Sequence, residues 1–245
     1  MFSHALYLIV GLFTGLIDSI AGGGGLISLP FLSTMIAPGP EAIGTNKIVG
    51  VTGALIALIV YARKGHLLWR EGLVFCLICA LGSFCGSSLT PYVSIKFFKI
   101  FLIAVCPIIL WMVWNKERFF AERHLHKKPP LILFLGAAFI SGMYDGFFGP
   151  GGGTFMFLSV YMGAGYPLLA AIAISKLANT LTASVALVNF ARNGYVHWVE
   201  GSVMAIGMAV GAFIGASYNN KKAVEIVRPV LTFVVILLLV KIIYY

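Results

Sequence analysis

Gly15-Leu-Ile-Asp18-Ser-Ile-Ala-Gly22-Gly-Gly-Gly25 returns 127 residues later as Gly142-Met-Tyr-Asp145-Gly-Phe-Phe-Gly149-Pro-Gly-Gly-Gly153. Each copy carries an aspartate at the end of an apolar run and a glycine break just beyond it. The likeness continues at an offset of 129. Ala42-Ile43 and Lys47 meet Ala171-Ile172 and Lys176. Ala62-Arg63-Lys-Gly65 with Trp69-Arg-Glu71-Gly72 meets Ala191-Arg192-Asn-Gly194 with Trp198-Val-Glu200-Gly201. A fixed period of this kind marks an internal duplication. It divides the chain into a first repeat (1–114), a basic linker (115–130) and a second repeat (131–245).

The composition says where such a chain lives. Of 245 residues, 60% are hydrophobic and only 10% charged, and the mean hydropathy is +0.99. Soluble domains carry about a quarter charged residues. A water-soluble shell cannot be built from this composition, whereas lipid needs none. The net charge of +9 does not argue for nucleic acid, because the basic residues sit in short connectors and form no contiguous basic face. Cys76, Cys79, Cys85 and Cys106 lie in apolar runs; no second pair or histidine cluster completes a zinc site, so they read as packing residues. The N-terminal run lacks a basic n-region and recurs mid-chain, so it reads as part of the fold rather than a signal peptide.

Each repeat predicts the same five pieces. In the first, the apolar runs are 5–21, 26–36, 43–62, 71–90 and 97–114; in the second, 131–148, 153–164, 170–190, 201–217 and 226–244. A full crossing takes about 20 residues at 1.5 Å rise, so the second piece of each set is too short to span. The first two pieces are expected to form a broken, re-entrant pair, followed by three crossings. The fold expected is an all-α polytopic membrane protein of two inverted-topology repeats. With that count the connectors 63–70, 115–128 and 221–228 share one side and hold Arg63, Lys64, Arg70, Lys116, Arg118, Arg123, Lys127, Lys128, Lys221, Lys222 and Arg228. The other side gets Lys96, Lys99, Arg192 and Lys241. That imbalance makes the first side cytoplasmic and sets both termini outside.

The chemistry gathers at the breaks. Asp18 and Asp145 are carboxylates within apolar runs, where a charge needs a partner or a wet cavity. Lys47 and Lys176 are the matching cations, either as structural partners or facing a permeant ion; the aspartates are ion-pair or proton-coupling candidates. Unwound backbone at membrane depth is tolerated where it lines a cavity or is buried in protein. Gly22, Gly23, Gly24 and Gly25, and Gly149, Gly151, Gly152 and Gly153, are therefore substrate-binding candidates. The half-helices after them would present amide hydrogens and a positive dipole end to an anion, and matched broken helices point to a transporter's site. Thr45 and Asn46 beside Lys47, and Ser175 and Asn179 around Lys176, are either ligands for oxyanion oxygens or helix caps. Gly82-x-x-x-Gly86 and Gly207-x-x-x-Gly211-x-x-x-Gly215 read as close helix crossings. No strand precedes the glycine runs and no GxxxxGK[ST] spacing occurs, so no nucleotide or other cofactor is expected; nor is a catalytic residue or metal. His66 and His197 sit in equivalent connectors at different offsets and share no assigned role.

Asp18-Ser-Ile-Ala-Gly-Gly-Gly-Gly25, Gly44-Thr-Asn-Lys47, Tyr144-Asp-Gly-Phe-Phe-Gly-Pro-Gly151 and Arg228-Pro229 together resemble the TauE/SafE family of membrane transporters over nearly the whole chain, closest to its bacterial inner-membrane branch. The resemblance implies a multi-pass plasma-membrane protein that moves a sulfur oxyanion or an organosulfonate. The expected function is secondary transport of a small anion by alternating access. The expected partners are the anion and the bilayer, with homo-oligomerisation left open. Two rival readings are a passive anion channel and an intramembrane aspartyl enzyme; the second lacks a GxGD motif, and a proton-sharing aspartate pair needs no neighbouring cation.

Overall fold

The computed structural model describes residues 2–20, 23–115, 131–217, 232 and 236. Gly22, the linker beyond Asn115 and the expected last crossing at 226–244, apart from positions 232 and 236, lie outside the described residues, as do all the cations expected at 116–128 and beyond 217. The described chain is helical, with no strand. Its helices are α1 (Phe2–Ile20), α2 (Gly25–Met35), α3 (Pro40–Arg63), α4 (Trp69–Leu89), α5 (Ile95–Trp114), α6 (Leu131–Phe147), α7 (Gly152–Leu158), α8 (Leu168–Arg192) and α9 (Trp198–Ser217). A 3₁₀ turn, Thr90–Tyr92, follows α4, and a π turn, Ser159–Gly163, follows α7. Four stretches among the described residues are long and apolar enough to cross a membrane: Pro40–Arg63, Gly72–Tyr92, Leu168–Arg192 and Trp198–Ser217. The expected second half-helix, 153–164, is seven residues of α-helix running into the π turn.

The repeated motifs earn their places locally. Pro40 starts α3, where its missing N–H is no loss, with Glu41 in the first turn. The twin Ala-Arg-x-Gly motifs stop α3 and α8 in the same way. The His66 amide donates to the Tyr61 carbonyl and the Gly65 amide to Ala62; the Tyr195 amide donates to Phe190 and the Gly194 amide to Ala191. These are paired 6→1 and 5→2 bonds around a left-handed glycine, with Gly65 at φ 77° and Gly194 at φ 74°.

The molecule is apolar outside, and its apolar core encloses a polar centre. Leu73, Leu77 and Leu81 lie one turn apart on α4, and Ile206, Val210 and Phe213 make the same stripe on α9; all are exposed. Lys47, Asp145, Lys176, Asn46, Thr14 and Thr182 are buried. Such a surface suits hydrocarbon, and backbone groups satisfied within helices are what hydrocarbon requires.

Packing follows an exchange of halves. α1 packs on α9 and α6 on α4; α3 packs on α8; α9 also touches α3 as α4 touches α8. The first two crossings are backbone on backbone. A methyl group built at Gly82 or Gly86 would come within 2.2 and 2.0 Å of the Phe139 and Met143 carbonyl oxygens, and one at Gly207 or Gly211 within 2.0 Å of those of Leu8 and Leu12. In lipid, where apolar burial between helices drives little, such close approach supplies the dispersion that holds helices together. The contacts also give directions. Gly11 meets Met204 and Gly15 meets Met208, so α1 and α9 run parallel; Gly53 against Met208 and the Lys64 ammonium on the Ala216 carbonyl add α3. α4, α6 and α8 form a second parallel set, with Ser83 bonded to Thr182 and Asn189 to Ser87. The two sets oppose each other: Gly44 sits on Phe190 and Gly50 on Ala183.

Candidate functional site

Each break begins with an aspartate near the end of a helix whose last carbonyls have no partner in the next turn. The Asp18 carboxylate reaches over the first break and accepts from the Gly24 amide at 3.1 Å, at the start of α2. Gly23 (φ 88°) and Gly151 (φ 77°) turn the chain through the left-handed region that only glycine enters cheaply. Tyr144 pins the second break by donating from its hydroxyl to the Pro150 carbonyl at 2.6 Å, and its ring stacks edge-on against Phe155. The two breaks meet: a methyl group at Gly25 would lie 2.9 Å from the Cα of Pro150.

The ion pairs cross between the halves. Lys47 of the first half binds Asp145 of the second, Nζ to Oδ2 at 3.3 Å; Lys176 of the second half binds Asp18 of the first at 2.7 Å. Each lysine also donates to the backbone carbonyl of the same aspartate, Lys47 to Asp145 and Lys176 to Asp18. One ammonium thus neutralises the carboxylate and satisfies a terminal carbonyl at the negative end of a helix dipole. The Lys47–Asp145 side chains are each 4% exposed, the Lys176–Asp18 side chains 9% and 14%. The repeat alignment identified the partners by type but left open which lysine serves which aspartate. Crossing makes each half responsible for the other's break.

This crossing has a direct test. In a cysteine-free background cut within the linker, Lys47→Cys with Asp145→Cys is expected to join the two fragments on mercury(II) treatment. Lys47→Cys with Asp18→Cys, both in the first fragment, cannot join them and is the control; fragments that stay separate on a denaturing gel with Lys47→Cys and Asp145→Cys would refute the crossed arrangement.

A polar cavity of about 50 Å³ lies between the breaks. Asp18, Gly23, Gly25, Asn46, Lys47, Asp145, Gly149, Gly151, Gly153 and Asn179 line it. The remaining sequence candidates sit elsewhere. Thr45 accepts from the His197 amide at 3.0 Å, tying α3 to the connector before α9. Ser175 bonds to the Ile172 carbonyl of its own helix. Gly24 and Gly152 back onto Asp18 and Asp145, where a side chain would collide with them, and Lys176 holds Asp18 from outside the lining. The amides of α2 are largely committed: Gly24 to Asp18, Leu26 to the Gly23 carbonyl, Ile27 and Ser28 to Gly24. That corrects the expectation of a bare helix end, because the carboxylate already occupies it. Thr14, Ser28, Gly50 and Met208 also line the cavity and were not singled out in the sequence. Thr14 carried a weak signal, a hydroxyl one turn before Asp18; Gly50 and Met208 carried none. Outside the cavity, His197 meets Glu41 at 3.0 Å in a half-exposed pair.

An apolar-surfaced bundle with broken helices, buried ion pairs and a central polar cavity is a polytopic membrane transporter in its class. The chain belongs to the TauE/SafE family: the family described as "Sulfite exporter TauE/SafE" matches residues 7–242. It is 33% identical to a probable membrane transporter protein, ORF9, of a Sinorhizobium species, over 97% of this chain and 91% of that one. It is 32% identical to a probable membrane transporter protein of Haemophilus influenzae, over 98% and 94%. It is 30% identical to the probable membrane transporter protein YfcA of Escherichia coli, over 96% and 87%. No solved structure matches the chain.

Proposed function

We propose that this chain is a secondary transporter of a small anion, working by alternating access from two inverted repeats (1–114 and 131–245) joined by a cytoplasmic linker. Both termini lie on the periplasmic side of a bacterial inner membrane. The observation that carries the reading is the meeting of two glycine breaks in one polar cavity closed by crossed lysine–aspartate pairs. Opposed helix directions support the inversion: α3 runs against α8, and α1 and α9 run against α6 and α4, their mates in the repeat. Moving one half against the other then opens the cavity to alternate sides, because each break hangs from the opposite half.

Size and charge narrow the cargo. At roughly 10–15 Å³ per water-sized sphere, a cavity of about 50 Å³ takes an ion of about three to five heavy atoms. That favours a sulfite-like oxyanion over the larger organosulfonates, and the family's description agrees with it. Lys47 and Asn179 face the cargo, and the glycines let backbone approach it without a Cβ between. Two ammoniums and two carboxylates sum to zero, so an added anion leaves a net buried charge, which hydrocarbon penalises. A cation must travel with it.

The test is flux into proteoliposomes with labelled sulfite, sulfate and a small sulfonate. Saturable sulfite flux with counterflow is expected; no saturable flux of any anion, or a steady electrodiffusive current instead, would overturn the reading. Asn179→Leu is expected to cut sulfite flux at least tenfold with little change in melting temperature, since a bulkier apolar side chain takes the place of a donor that lines the cavity. Wild-type flux in that variant would remove Asn179 from the site.

A further inference from the structure

We propose that the accompanying cation is a sodium ion, held in the cavity by the oxygens of Thr14, Asn46 and Asp18. The inference rests on the transport reading above and adds the coupling ion. Thr14 is 1% exposed and Asn46 7% exposed, and both line the cavity. Thr14 Oγ1 and Asn46 Oδ1 have no hydrogen-bond partner. A buried oxygen left unsatisfied is destabilising and calls for an explanation.

The type of atom decides what the partner is. An amide oxygen only accepts, so a fully deprotonated oxyanion cannot satisfy Asn46 Oδ1. A coupling proton on a carboxylate of the cavity would supply one O–H donor, enough for one of the two oxygens but not for both. A sodium ion takes neutral and charged oxygens together, and broken-helix transporters place it where helix C-terminal ends and unwound carbonyls converge. Thr14 stands there. It lies one turn before Asp18 on the same face of α1, and a methyl group at Gly24 would touch the Thr14 carbonyl at 2.9 Å and the Asp18 Cβ at 2.6 Å. Asp18 lines the cavity and already accepts from Gly24 and Lys176. Hydroxyl, amide and carboxylate oxygens are hard ligands, which suit a hard cation.

The second half does not repeat the arrangement. Ser141, the mate of Thr14, is bonded to Ser159 at 3.2 Å, and Ser175, the mate of Asn46, donates to Ile172 at 2.8 Å. One sodium ion per chain follows. Among the described residues Thr154 Oγ1 is orphaned as well; it is not among the cavity's lining residues and serves as a control.

The experiment is binding of radiolabelled sodium to the purified full chain in choline buffer, with and without sulfite, since the charge sum makes sodium bind more tightly beside an anion; it reads sodium binding directly, so its outcome is separate from that of the flux assay. Saturable binding is expected in the wild type and in Thr154→Val. Thr14→Val, close in shape to threonine, is expected to weaken binding about tenfold or more, as loss of a bond to a charged group does. Asn46→Ala, the second variant should the first not fold, is expected to do the same. Absence of saturable sodium binding in the wild type, or wild-type binding in a folded Thr14→Val or Asn46→Ala, would overturn the proposal. So would anion flux that follows a proton gradient and ignores sodium.

Discussion

Replacing Lys47 by methionine is expected to destabilise the protein by about 3–5 kcal/mol, because it strands the Asp145 carboxylate without its cation. Lys47 and Asp145 are almost fully enclosed, and the lysine also serves the Asp145 carbonyl, so the variant loses two partners at once. Replacing both charges, as Lys47→Met with Asp145→Leu, is expected to recover most of that loss, since a well-packed apolar pair often equals a buried ion pair in stability. The double variant is expected to fold and carry no anion. Melting curves of the purified proteins, together with flux assays, check both halves of the claim. A Lys47→Met protein as stable as wild type would mean that the pair contributes nothing to the fold. A double variant that transports normally would remove the pair from the mechanism.

The second large effect is expected at the helix crossings. Gly142→Val places side-chain carbon where the nearest atom, the Cys79 carbonyl oxygen, is already 2.0 Å from a Cβ position, and two more Cys79 backbone atoms lie at 2.6 Å. Backbone cannot rotate aside as a side chain can, so α6 must part from α4. The expected loss is about 3 kcal/mol or more, the upper end for overpacked sites, read as a lowered melting temperature and poor recovery of folded protein. Gly136, on the same helix, has no atom within 4 Å of its Cβ position. Gly136→Val is expected to leave the melting temperature within a few degrees of wild type. Equal behaviour of the two variants would show that the crossing is looser than these contacts describe.

Much of the fold was legible. Apolar runs separated by glycine, proline and basic connectors located α1 to α6, α8 and α9 to within a few residues, since hydropathy and helix stops are local properties; α7 ends six residues early, in the π turn. The Gly82/Gly86 and Gly207/Gly211 spacings announced close crossings that the contacts contain. Asp18 and Asp145 were conspicuous because a carboxylate in an apolar run is rare. Less legible was the duty of the small polar residues. Thr45 and Asn46 are adjacent in the chain, yet one ties down a connector and the other lines the cavity. On a helix, neighbouring residues point about 100° apart, and which direction is inward depends on helices far away in sequence.

By itself, then, the sequence determined a helical membrane protein, its duplication, its two glycine breaks and the charges beside them, all written in residue type and spacing. Only the tertiary structure decided that Lys47 serves Asp145 and Lys176 serves Asp18, that both breaks share one cavity, and that Thr14 belongs to it while Thr45 does not. The physical reason is range. Hydropathy and helix stops act over a few residues along the chain, whereas an ion pair forms between whichever groups packing brings within about 4 Å, here across 98 and 158 residues of sequence.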